Sequence, residues 1–280
     1  MKTKTDYERL VAHRQARDVA VEAAGQAARL IRAHAGHVEA AAVREKGLHD
    51  LVSYVDEQAQ QAILEVLQAA YPGYAVLAEE GAADVLPAAE AESYRWIIDP
   101  LDGTTNFTHG VPPYAVSIAL QYEAEVIVGV VLDVTRDELF TAVRGGGCYA
   151  NGRRCRVSGA ATLGESLLTT GFPYRSFGHL DAYLDVLRTL MQQTRGIRRP
   201  GAAAVDLAYI ACGRFDGFFE TGLMPWDVAA GALLVEEAGG RVSDYRDVRN
   251  PFFEGQILAT NGRLHPVLLQ TLAALRDIRG

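Results

Sequence analysis

Three stretches of this 280-residue chain run apolar and then stop on carboxylates. Tyr74-Ala75-Val76-Leu77-Ala78 ends on Glu79-Glu80. Trp96-Ile97-Ile98 ends on Asp99-Pro100-Leu101-Asp102. Asp227 follows Pro225-Trp226 at the start of the apolar helix 228–235. Short apolar runs bounded by turn residues read as buried strands. Carboxylates at the ends of buried elements are costly unless something positive stands among them. Acidic ends contributed by three separate regions are what a cluster of oxygen ligands for a hard cation needs.

The middle stretch says most. After Asp102, Gly103-Thr104-Thr105 opens the next element, where backbone N–H groups are unpaired and suit phosphate oxygens. An isolated Asp-x-x-Asp-Gly serves equally well as a capped turn; the other two acidic clusters favour ligands. The spacing also matters. Phosphatases that form an aspartyl-phosphate carry Asp-x-Asp-Gly-Thr, with the first Asp as nucleophile. Here one extra residue and Pro100 turn the second carboxylate in another direction. Both aspartates read as ligands and neither as a nucleophile.

Composition excludes several classes. A content of 49% hydrophobic and 22% charged residues is that of an ordinary globular protein able to bury a large core. A net charge of −8 argues against a nucleic-acid-binding surface, and bound metal ions would reconcile an acidic protein with an anionic substrate. No apolar run approaches the ~18 residues of a spanning helix, and the first residues are polar. The expectation is a cytoplasmic protein with no membrane partner. Cys148, Cys155 and Cys212 show no Cys-x-x-Cys pairing. A Cys148–Cys155 disulfide across a hairpin is conceivable, but reduced thiols are the favoured reading. His34 and His37 fall near the end of a surface helix and read as solvated.

The elements alternate. Residues 7–35 form one amphipathic helix, with Ala12, Ala16, Val19, Ala23, Ala27 and Leu30 at helical spacing. A second helix over 56–70 stops at Tyr71-Pro72-Gly73. Strands follow at 74–78 and 95–99, then a hairpin of 114–122 with 125–133, then 138–143. Beyond residue 150 come strand 166–172, helices 179–193 and 202–212, strand 215–220, helix 226–238 and strand 256–259. Helix 266–276 closes the chain, with Pro266 at its first position. With no linker and no repeat, the chain reads as a single domain over 1–280. Its subregions, about 1–150 and 151–280, are expected to form the site between them. Periodicity by itself leaves α/β and α+β open.

Longer motifs narrow this. Residues 96–109, WIIDPLDGTTNFTH, resemble the first signature of the inositol monophosphatase family, and 225–240, PWDVAAGALLVEEAGG, resemble the second. Leu77-Ala78-Glu79-Glu80 and Asp50-Leu51-Val52-Ser53-Tyr54-Val55-Asp56 resemble two smaller upstream motifs, in the right order. The resemblance implies the sugar-phosphatase fold, a sandwich of alternating layers of helices and mixed sheets. It also implies a Mg²⁺-dependent, lithium-sensitive phosphomonoesterase that works as a homodimer.

Residue by residue, Glu79, Asp99 and the Leu101 carbonyl resemble the ligands of a first Mg²⁺. Asp99, Asp102 and Asp227 resemble those of a second, and a third ion, where the family uses one, would share Glu79. Glu80 reads as indirect, since neighbours on a strand point apart. The Gly103 and Thr104 N–H groups would hold phosphate, aided by the helix dipole. The Thr104 hydroxyl, bonded to Asp56, would orient an attacking water and take up its proton, with the metal acidifying that water. Gly201-Ala202-Ala203-Ala204-Val205-Asp206 and Phe218-Phe219-Glu220 resemble the walls of the inositol pocket, with Glu220 and the backbone around Ala203 accepting sugar hydroxyls. A solvated strand-end Glu220 is the plainer alternative. Arg198 and Arg199 fit a subunit contact, the pocket or solvent equally. His109 reads as positioning its loop.

Three departures stand out. Ala78 replaces the usual glycine, Ser53 replaces threonine, and Tyr54 and His49 add bulk near a glycine-containing loop after Lys46, read as mobile. None removes a ligand. The implied reaction is hydrolysis of inositol monophosphate to inositol and phosphate. The alternatives are a relative acting on histidinol phosphate, fructose 1,6-bisphosphate or a 3′-phosphonucleotide, or a regulatory binding protein on the same scaffold. The latter predicts a lost ligand, and none is lost.

Overall fold

The computed structural model describes residues 4–36, 43–47, 50–81, 94–173, 177–249, 252 and 255–277, with the backbone alone for 4–7, 43–47 and 50–53. His37, His49 and the side chains of Lys46 and Ser53 lie outside the described residues. The first half runs α1 (Lys4–His34), β1 (Val43–Gly47), β2 (Asp50–Ser53), α2 (Tyr54–Ala70), β3 (Ala75–Ala78), β4 (Tyr94–Asp102), α3 (Thr104–Thr108), β5 (Ala115–Tyr122), β6 (Glu125–Asp133), β7 (Glu138–Val143), β8 (Gly147–Ala150) and β9 (Arg153–Arg154). The second half runs β10 (Leu167–Thr170), α4 (Leu180–Gln193), β11 (Gly196–Arg198), α5 (Ala203–Ala211), β12 (Gly217–Thr221), α6 (Pro225–Glu237), β13 (Arg241–Ser243), β14 (Gln256–Thr260) and α7 (His265–Thr271).

Strands β3 to β9 form a seven-stranded sheet in chain order, with only β3 and β4 parallel. A second sheet has the order β11-β10-β12-β14-β13, with β10 parallel to both neighbours. Burial follows the pattern of each element. In α1 the small residues Ala16, Ala20, Ala23, Ala24, Ala27 and Ala28 are buried, and that face lets α1 lie close on β5 and β6 beside α2. On the opposite face, α5 and α6 fill the space between the two sheets, and α4 and α7 close the outside of the smaller one. Two sheets thus alternate with three helical layers, as the sugar-phosphatase expectation required. A Cβ added at Gly129 of β6 would lie 2.7 Å from the Ala230 carbonyl. The α6 backbone therefore rests directly on the large sheet, and that contact sets where its N-terminal Asp227 points.

The structure corrects several boundaries. Residues 43–47 and 50–53, read as a loop, pair as an antiparallel ladder. Strand β10 is four residues long because the chain leaves the sheet at Gly171. Strands β8, β9, β11 and β13 have two to four residues, too few for period-2 alternation to register. Pro266 sits one residue inside α7, which ends at Thr271 and continues as a 3₁₀ turn over Leu272–Leu275. No helix among the described residues is long and apolar enough to cross a membrane. All three cysteines are free thiols.

Candidate active site

Four carboxylates from three parts of the fold act on one another. Asp99 is fully inside β4, and its Oδ1 accepts from the Leu101 N–H at 2.9 Å within the same turn. Burial raises the Asp99 pKa well above the carboxylate range. Glu79, Asp102 and Asp227 push in the same direction, and the Leu101 hydrogen bond opposes them. Asp102, at the end of β4, accepts from the Ala204 N–H at 2.8 Å, which ties the large sheet to the start of α5. Burial, Asp227, Glu220 and Glu79 raise its pKa as well. Glu79 follows β3, with its N–H donating to the Ile98 carbonyl at 3.2 Å, so the parallel β3–β4 pairing places it beside Asp99. Asp227, in the first turn of α6, accepts from the Met224 N–H at 2.7 Å. No basic side chain among the described residues offsets the charges of Asp99 and Asp102.

Such a cluster is the donor set that hard divalent cations take. Among the described residues no three of these side chains already stand close enough to one point to form a finished metal cage. The fold supplies the charge and the oxygen donors, and it leaves the ligand distances to be set by an ion. The residues present fit a Mg²⁺ site on that basis.

Next to the cluster, Gly103 adopts φ +90°, and an added Cβ would press on Pro113, Gly201 and Ala202 at 3.1–3.3 Å. Glycine is required there because the chain turns in the left-handed region against three neighbours. The Gly103 and Thr104 N–H groups have no partner among the described residues. Helix α3 is only five residues long. These N–H groups act as individual donors, and the expected helix-dipole contribution shrinks accordingly. The Thr104 hydroxyl donates to Asp56 Oδ1 at 2.9 Å, with the Leu101 carbonyl at 3.1 Å. Asp56 lies buried in the first turn of α2.

Glu80 is not equivalent to Glu79: its backbone is clasped by Gln60, whose Oε1 accepts from the Glu80 N–H at 3.0 Å. Glu220 is buried in β12 rather than solvated, and its carboxyl lies against Gly171, where an added Cβ would meet it at 1.9 Å. Burial pushes its pKa up to about 8; Asp227 adds to the shift and Arg199 opposes it. Ala203 is buried at the start of α5. Both arginines of the basic pair are exposed; Arg199 stands 5.7 Å over the Phe172 ring and acts on Glu220, and Arg198 reaches only the Ile197 carbonyl among the described residues. His109 is exposed at the end of α3. His34 is half-buried, with its ring edge-on to Tyr54 and its Nδ1 2.9 Å from the Leu30 carbonyl.

Two polar residues that the sequence offered only as members of longer motifs, with no role of their own, hold specific places. Asp206 is buried in the apolar α5, accepts from the Thr169 hydroxyl at 2.9 Å and senses Glu220 and Asp102. A single charge in an alanine-rich helix is the signal that marks it. Asn106 bridges the Pro113 and Pro200 carbonyls at 2.8 and 2.9 Å, clamping the Gly103 turn to the segment before α5. Nothing in its local sequence announces that bridge.

A layered α/β sandwich that gathers carboxylates beside unpaired N–H donors defines a phosphatase of the sugar-phosphatase type. The chain belongs to the inositol monophosphatase family, whose model matches residues 13–277. It is 49% identical over 257 residues to the Nus factor SuhB of Pseudomonas aeruginosa, covering 91% of this chain and 94% of that one. It is 44% identical over 256 residues to the inositol-1-monophosphatase of Mesorhizobium japonicum, covering 91% and 95%. Among solved structures, the extragenic suppressor protein SuhB of Bartonella henselae superposes with a TM-score of 0.85 at 41% identity, covering 93% of this chain and 98% of that one.

Proposed function

We propose that the protein is a Mg²⁺-dependent phosphomonoesterase that hydrolyses inositol monophosphate to inositol and phosphate. The observation that carries this reading is the convergence of Asp99, Asp102, Asp227 and Glu79 beside the Thr104–Asp56 hydrogen bond. Glu79, Asp99, Asp102, Asp227 and the Leu101 carbonyl are the groups that would hold the metal. When bound, Mg²⁺ supplies positive charge against the phosphate and makes a water easier to deprotonate.

The chain's own residues do the rest. The Gly103 and Thr104 N–H groups hold phosphate oxygens and present phosphorus in one orientation, which is most of what phosphoryl transfer demands. Thr104 Oγ1, with its hydrogen turned to Asp56, accepts a hydrogen bond from the attacking water and orients it. As that water loses its proton, Thr104 and Asp56 take the proton up. Glu220 and the backbone around Ala203 accept hydrogen bonds from hydroxyls of the alcohol. Buried Glu220, with its pKa pushed up to about 8, suits a polyol better than a second phosphate.

A panel of phosphate esters assayed for phosphate release with Mg²⁺ tests this. Inositol monophosphate should lead it; preference for histidinol phosphate, fructose 1,6-bisphosphate or a 3′-phosphonucleotide would assign the site to that relative. The relative named Nus factor SuhB favours a second role, in which the fold also serves as a bound factor. Loss of that role without loss of hydrolysis in surface variants would separate the two.

A further inference from the structure

The face of the large sheet away from Asp99 carries a second polar site. Along β7, Phe140 and Ala142 enter the core shared with α5 and α6, so Thr141 and Val143 face α1. There Arg14 and Arg17 of α1, Thr141, Gly147 and Tyr149 line a depression of about 200 Å³. Arg154, opposite Tyr149 in the β8–β9 ladder, lays its guanidinium along Gly147, 3.4 Å from where a Cβ would stand.

Three features mark this as a built site. Thr141 is 9% exposed and lines the depression, yet its hydroxyl has no hydrogen-bond partner among the described residues. Arg14 and Arg154 form no ion pair among the described residues, and Arg17 pairs only with its exposed neighbour Asp18 at 2.5 Å. Among the described residues no carboxylate lines the wall, and Glu237 meets it only through the Gly147 N–H at 2.8 Å. On a chain of net charge −8, a donor-rich, acceptor-poor hollow is selective for an anion.

We propose that this depression binds a phosphoryl group, as inorganic phosphate or as a small phosphate monoester. The Arg14 fork, the Arg17 N–H groups that Asp18 does not hold, the Arg154 guanidinium beside Gly147 and the Thr141 hydroxyl offer more donors than the two oxygens of a carboxylate can accept, and they match the three or four oxygens of a phosphoryl group. The sheet separates this hollow from the catalytic cluster, and β7 is three strands, about 14 Å, from β4. The site is therefore independent of the reaction proposed above.

Titration of the metal-free protein in EDTA, followed calorimetrically, tests it, because the uncompensated carboxylates of the catalytic cluster then repel phosphate. The probes are inorganic phosphate, glycerol phosphate and acetate. Saturable binding of either phosphoryl probe is expected, weakened about tenfold or more by Arg14→Ala or Arg154→Ala and less by Thr141→Val. The tighter of the two phosphoryl probes identifies the source. Hydrolysis with Mg²⁺ and thermal unfolding of the Arg14→Ala variant should match the wild type. Absence of saturable binding, equal binding of acetate, or full binding by the Arg14→Ala/Arg154→Ala double variant would overturn the proposal.

Discussion

The Thr104 hydroxyl and Asp56 meet at 2.9 Å across 48 positions of sequence, joining the first residue of α3 to the first turn of α2. Asp56 is 1% exposed, so its carboxylate is held in place rather than free to swing. Thr104→Ala removes the group proposed to orient water and should lower kcat by about two orders of magnitude. Thr104→Ser keeps the hydroxyl and should restore most of the activity. Steady-state kinetics at saturating Mg²⁺ check both, and a Thr104→Ala enzyme with normal kcat would remove the pair from the mechanism.

Asp102→Asn and Asp227→Asn keep the side-chain shape and remove one charge from the proposed metal site. Each should cost about two orders of magnitude in kcat, roughly 3 kcal/mol of barrier. Mg²⁺ should also raise the melting temperature of the wild type, since a ligand that binds only the folded state stabilises it. That rise should shrink in both variants. Calorimetric melting with and without Mg²⁺ measures it, and an unchanged rise would place the ion elsewhere.

Substrate choice is expected to depend on Glu220 and on the glycine behind it. Glu220→Gln should slow hydrolysis of inositol phosphate more than that of p-nitrophenyl phosphate, which has no sugar hydroxyls to lose. Gly171→Ala should act the same way without changing the chemistry of residue 220, because its methyl group would occupy the space of the Glu220 carboxyl and displace it. Equal losses for both substrates would make Glu220 structural.

Direct attack of water on phosphorus should invert a chiral thiophosphate, whereas passage through an aspartyl-phosphate would retain it. Inversion is expected from the Asp99-Pro100-Leu101-Asp102 spacing, and lithium inhibition is expected from the family pattern. Retention, or a phosphoaspartate trapped at Asp99 or Asp102, would reverse the ligand assignment of these two residues.

The contribution of His265 to stability should weaken in mild acid. The ring is fully buried, with Nε2 2.9 Å from Ser243 Oγ and Nδ1 3.0 Å from Thr260 Oγ1. Burial and Arg241 lower its pKa to about 4, with Asp247 opposing. Between pH 6.5 and about 4 this ring is therefore protonated in the unfolded chain and neutral in the folded one, so its own contribution to stability falls as the pH drops through that window, while the buried carboxylates of raised pKa act in the opposite direction. The loss amounts to about 3 kcal/mol at the acid end. A His265→Gln variant, compared by denaturant unfolding at several pH values, should show a flatter slope over that range.

Most elements could be read from the chain because their signals are local. The 114–122 and 125–133 hairpin is two apolar runs joined by a tight turn within twenty residues, and the alanine spacing of α1 already names the face that packs. The proposed ligands were legible for the same reason, since Glu79, Asp99 and Asp102 close recognisable apolar elements and Asp227 opens one. Strands β8, β9, β11 and β13 were not, because no period develops in so few positions. Asn106 was not either, because its two partners lie 7 and 94 residues away.

The sequence by itself determined the element types, the acidic ends and the glycine turn at 103. Only the tertiary structure decided which of these meet. Placing α5 and α6 between the sheets brings the Ala204 N–H to Asp102 and Asp227 to the end of β4. The same packing buries Glu220 against Gly171 instead of leaving it in water. It also leaves Thr141 and the arginines of α1 on the far face, around a hollow that no local pattern foretells. Periodicity reports what one segment buries; the identity of the burying partner is a property of long-range packing, and the chemistry of the site depends on that partner.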